Sequence, residues 1–408
     1  MPVRLFTTMS SRDPDESHRV STPLELFFDL TFVVAVAQAS RTMHHLLVDG
    51  HAGDALVAFP MVFFAIWWAW MNFTWFASAY DPDDATYRVT VFLQMAGVLV
   101  FAAGVPRFLE DLDPGVVVAG YVIMRIGAVA QWLRAAAQHP AGRPTALRYA
   151  IGIAACQIGW LALLAAPDSW WVPGFLLLAV AELAVPVWAE RAEPTGWHPR
   201  HIGERYGLFT ILVLGESVLS ATGAMQAALD AGGPFSDLVT TAIGGFLIVA
   251  SMWWIYFDQP VERLLTRARQ AFSDLNERQS FVWGYGHYFV FASAAAVGVG
   301  LAVAVDQAVG RSALTDREAA LVLTLPVALY LVTVWVLHWR HKSPGPFRAF
   351  ACPVTTAAIV ATSWTEEPAL LSGLALAALV AVSLVVDRAG ADDSEAESEA
   401  RVEQPATT

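Results

Sequence analysis

Runs of about 20 mostly apolar residues, separated by short links rich in charge, Pro and Gly, recur from residue 24 to residue 387, and no other feature limits the fold as tightly. A run of this length matches the hydrocarbon thickness of a bilayer when coiled as a helix. Inside lipid a helix also satisfies its own backbone N–H and C=O groups. Charged residues make up 15% of the chain and the mean hydropathy is +0.50, whereas a soluble domain carries roughly 25% charge. The runs predict twelve transmembrane helices, at 24–42, 55–79, 88–109, 115–136, 146–166, 169–189, 205–226, 236–257, 281–304, 318–338, 348–364 and 369–387. The span at 348–364 is the shortest for its task. An all-α, polytopic membrane bundle follows, with the lipid bilayer as its main partner.

Positive charge orients the bundle. With the N-terminus inside, 19 of the 24 Lys and Arg fall in inner segments; Arg41, Arg107, Arg311 and Arg317 are outside, and Arg125 is left within a span. This is the asymmetry of the positive-inside rule, and it predicts an inner-membrane protein with both termini cytoplasmic. The first 23 residues are polar and lack an apolar signal core, so the first span is expected to direct insertion itself. A net charge of -13 with no basic stripe excludes nucleic acid as a partner. Cys156 and Cys352 lie in apolar stretches and read as small core residues, with no disulfide framework or metal site. The tail after residue 387 is acidic and rich in Ser and Ala, a composition expected to be disordered.

Twelve spans suggest two sets of six. The second span has Trp67-Trp68 and exits at Asp81; the eighth has Trp253-Trp254 and exits at Asp258. The fourth ends with Trp132 and Arg134, the tenth with Trp339-Arg340. Interfacial aromatic belts would also place such residues at helix ends. The duplication divides the chain into a polar N-terminal segment (1–23), two six-helix halves in parallel orientation (24–190 and 191–387) and the tail (388–408).

Ionisable groups inside a bilayer persist only where they are paired, wet or useful. At 1.5 Å per residue, Asp29 enters about 9 Å from the inner end, Glu182 lies about 10 Å from that face, and Arg125 and Glu216 reach about 15 Å. Arg125 is therefore expected to pair with Glu216 as its buried counter-ion. Glu25, one turn before Asp29 on the same face, is expected to be wet at the interface. His287, at a depth similar to Asp29, is the group able to titrate near neutrality. A row of Glu25, Asp29, His287 and Glu216 would pass protons or coordinate a cation, with Glu182 as a further candidate. The outer loop with His44, His45, His51, Asp49 and Asp54 has no spacing that fixes a metal geometry.

Soluble-enzyme signatures are missing: LGESVLS around Ser217 lacks the spacing of a nucleophile elbow, and no Walker loop, HExxH or GxGxxG occurs in context. Neither an enzymatic activity nor a cofactor is expected.

The stretches STPLELFFDLTFVVAVAQAS, WWAWMNFTWF, ERYGLFTILVLGESV, WWIYFD and YGH, in this order, resemble the bacterial low temperature requirement protein A family over residues 21 to 385. The resemblance implies a multi-pass inner-membrane protein associated by name with growth in the cold, and a transporter-like topology. Glu25, Asp29, Glu204, Arg205, Glu216 and His287 match family motif positions. The function expected is a secondary transporter or permease for a small solute or ion, coupled to protons or a cation. A membrane sensor or structural protein and a lipid-modifying enzyme are the alternatives, and the sequence points to no oligomeric state.

Overall fold

A computed structural model describes residues 4–13, 16, 20–258, 274–337 and 346–402. Among them there is no strand, and twelve helices follow one another: α1 (Pro23–Val48), α2 (Ala52–Ala79), α3 (Ala85–Asp111), α4 (Gly115–Gln138), α5 (Arg143–Leu164), α6 (Trp171–Glu190), α7 (Pro199–Asp230), α8 (Phe235–Phe257), α9 (Asp274–Ala308), α10 (Asp316–Leu337), α11 (Pro346–Ala361) and α12 (Pro368–Val402). Eleven have the length and apolar content to cross a membrane. At 16 residues α11 is the exception, and the 3₁₀ turn Thr362–Trp364 extends it to about 30 Å, near the bilayer thickness.

The α2 and α9 spans are the most buried, each at 72%. In the first half α1 packs on α2 and α3, and α3 to α6 pack in series. In the second half α7 packs on α8 and α9, α9 on α10, and α10 to α12 in series, with α8 also against α12. The halves meet where α1 and α2 contact α7 and α9. Lipid offers no hydrophobic drive between helices, so close approach depends on small residues. At Gly120 on α4 an added Cβ would stand 2.3 Å from the Phe101 backbone nitrogen of α3.

The N-terminal segment lies across one face of the bundle. Its backbone bonds run from Arg12 N–H to Ala79 O (2.9 Å), Met9 N–H to Gln138 Oε1 (2.7 Å), Thr7 N–H to Asp84 Oδ2 (2.7 Å) and Ala85 N–H to Arg4 O (3.0 Å). It thereby bridges the ends of α2, α3 and α4, and Met9 is fully buried.

Two expectations change. The seventh helix begins at Pro199, six residues before the apolar run, because His198 caps it and Pro199 supplies its first turn. The acidic stretch expected to be disordered continues α12 as helix to Val402: Ala and Glu are strong helix formers, and the next proline is Pro405. The cations at 19, 263, 267, 269, 340 and 342, Trp339 and residues 403–408 lie outside the described residues.

Candidate functional site

The N-terminus of α1 is built as a capping box. Thr22 Oγ1 accepts from Glu25 N–H (3.3 Å), and Glu25 Oε2 accepts from Thr22 N–H (2.7 Å). This fixes the rotamer of Glu25 and turns its other oxygen toward α7. Helical spacing puts Asp29 one turn above Glu25, and on α7 it puts Arg205 one turn above His201. Two ladders therefore face each other, two carboxyls on α1 and an imidazole and a guanidinium on α7.

Arg205 grips Asp29 with two nitrogens, Nη2 to Oδ1 at 2.5 Å and Nε to Oδ2 at 3.2 Å, and its Nη1 is 3.1 Å from Glu25 Oε1. The same Glu25 oxygen is 2.9 Å from His201 Nε2, and Trp70 Nε1–H of α2 donates to Asp29 Oδ1 at 2.6 Å. All four ionisable side chains are at most 1% exposed. Glu25 is thus not wet as expected, since α7 covers it. Nor is Arg125 the sole buried cation, because Arg205 lies in the same buried ladder as Glu25.

A second centre lies on the opposite face of α2. Two residues along a helix turn the side chain through about 200°, so Trp68 points away from Trp70 and donates to Glu182 Oε2 at 2.8 Å. Trp160 Nε1 (3.2 Å), Gln157 Nε2 (3.3 Å) and Tyr121 OH (3.4 Å) donate to the other oxygen. Arg125 stands 3.8 Å from Glu182, donates to the Tyr121 hydroxyl and lies over that ring at 4.5 Å. An apolar cavity of about 40 Å³ adjoins the cage, with Tyr121, Trp160 and Phe175 in its wall.

The expected Arg125–Glu216 pair is therefore not formed. Glu216 lies about 26 Å along α7 from its start, where Ser220 Oγ donates to it at 2.9 Å. The row from Glu25 to Glu216 is not contiguous either. His287 Nδ1 donates to the Trp283 carbonyl (2.7 Å), and its Nε2 is 3.1 Å from the Tyr256 hydroxyl, while the Tyr206 ring packs on its imidazole.

Of the remaining motif positions, Glu204 Oε1 accepts from Ser21 N–H at 3.3 Å, holding the N-terminal segment to α7. Trp67 is buried, whereas Trp253 and Trp254 are 45% and 41% exposed on the outer surface. The two Trp pairs are thus placed differently. Asp258 ends α8 as its C-cap. His44, expected in an outer loop, lies in the last turns of α1, where its Nε2 pairs with Asp306 of α9 at 2.8 Å, and no group of three metal-ligating side chains forms among the described residues. The Asp54 side chain is outside them.

The sequence reading missed His201. Its signal was the spacing to Arg205, which repeats that of Glu25 and Asp29. The family model for the bacterial low temperature requirement A protein matches residues 20–386, a stretch that includes all of these positions. The chain belongs to the LtrA family. This LtrA chain is also 28% identical over 284 residues to the uncharacterized protein RA0937 of Rhizobium meliloti (strain 1021), a match spanning 64% of each chain.

Proposed function

We propose that this LtrA protein is a proton-coupled secondary transporter or permease of the inner membrane, with both termini in the cytoplasm and a small solute or ion as cargo. The single observation that carries the reading is the contact of the Glu25 carboxyl with the His201 imidazole at 2.9 Å inside the buried α1–α7 ladder. A carboxyl and an imidazole at this distance can share one proton, and that proton is the exchangeable one. Asp29, held by two Arg205 nitrogens and Trp70, is the fixed member.

The centre sits between the two halves, where α1 of one packs on α7 of the other, so relative motion of the halves would open it and release the proton. His201 takes the titrating role first assigned to His287. An enzymatic role finds no support at Ser217, whose Oγ donates to the Val213 and Ala294 carbonyls. The positive-charge asymmetry supports the orientation.

The test is proton movement into proteoliposomes under an imposed pH gradient. Glu25→Gln keeps the capping box, for which Gln serves as well as Glu, and is expected to remain folded while abolishing flux. Wild-type flux matched by the variant contradicts the reading.

A further inference from the structure

We propose that the polar chamber between α1, α2, α3 and α4 binds one monatomic anion of the halide type. The chamber measures about 10 Å³, which suits one water-sized occupant and no polyatomic one. Its polar lining is Asn72, Gln94, Arg125 and Gln131, with no carboxylate, and Phe28 and Phe73 are among its apolar walls. Two donors in that lining, Arg125 Nε and Gln131 Nε2, have no partner among the described residues, on side chains only 2% and 3% exposed.

The other two amides are each bonded once. Gln94 Nε2 donates to Gln131 Oε1 at 3.0 Å, which leaves the Gln131 amide N–H₂ unused. Asn72 Nδ2 donates to the Trp68 carbonyl at 2.8 Å. An occupant is therefore offered a guanidinium N–H and an amide N–H₂ that nothing else among the described residues takes up.

An anion suits this better than a water because the Arg125 charge is incompletely matched. Glu182 is 3.8 Å away, beyond hydrogen-bonding distance, and its oxygens are occupied by Trp68, Trp160, Gln157 and Tyr121. Glu182 still competes with the anion for the guanidinium through space. Removing its charge should strengthen anion binding, and removing the Gln131 donor should weaken it. The site is claimed for binding alone and does not rest on proton coupling.

The experiment uses the full chain and bromide. Anomalous scattering from a bromide-soaked crystal is expected to give a peak within hydrogen-bonding distance of Arg125 Nε and Gln131 Nε2. In lipid, the bromide concentration that half-saturates thermal stabilisation should rise about tenfold in Gln131→Leu and fall several-fold in Glu182→Gln. A water without anomalous signal at this position under saturating bromide overturns the proposal, as does the same half-saturation in wild type and both variants. The wild-type diffraction result stands whether or not the variants fold, and a bromide peak in a protein that moves no protons leaves the site intact.

Discussion

Asp84 joins three parts of the chain at one carboxylate. It caps α3 through Tyr87 N–H at 2.8 Å, accepts from Thr7 N–H, and receives Arg134 Nη1 and Nη2 at 3.0 and 2.5 Å. Burial alone would raise its pKa, but the bonds from Arg134, Tyr87 and Thr7 outweigh that and hold the carboxyl below the ordinary carboxylate range. The unfolded chain therefore takes up this proton first. The contribution is complete above about pH 4 and is lost as pH falls toward the folded value. Asp84→Asn should cost about 1–3 kcal/mol at neutral pH and flatten the loss of melting temperature below about pH 4; parallel acid profiles would contradict the assignment. At this scale the buried carboxylates were legible, because a charge inside a span is expensive enough to demand a reason. Their partners were not. Depth along a helix gives height but not azimuth, so Arg125 and Glu216 looked like a pair although α4 and α7 belong to different halves. Arg205 passed for a loop cation because it borders a polar stretch.

Helices were the most legible level, since an apolar run needs only its own backbone to become a span. The start of α7 escaped because His201, Glu204 and Arg205 make its first turns polar; two of the three are neutralised by α1, which apolar patterning does not register. Crossings were equally hidden. Gly120 is one of 28 glycines, and only the structure singles it out by bringing α3 within backbone contact. Gly120→Val should force α3 and α4 apart and cost about 1–3 kcal/mol, read as a lower melting temperature in lipid. An unchanged melt would mean that the crossing relaxes without loss.

Across the molecule α1 packs on α3, α3 on α4 and α4 on α5, and α7 packs on α9, α9 on α10 and α10 on α11. The interiors diverge. The first half buries Arg125 and Glu182, whereas the second joins Thr324 to Ser363 at 2.7 Å and Thr362 to Ser372 at 2.8 Å. Charge is concentrated instead at the seam, where α1 meets α7 and the N-terminal segment crosses the adjoining helix ends. We propose that this seam holds one exchangeable proton, shared between Glu25 and His201. A pH-difference infrared spectrum of the full chain in a lipid bilayer tests it most directly. The prediction is a carboxyl or imidazole band in wild type that disappears in both Glu25→Gln and His201→Gln; identical difference spectra for wild type and both variants would contradict it.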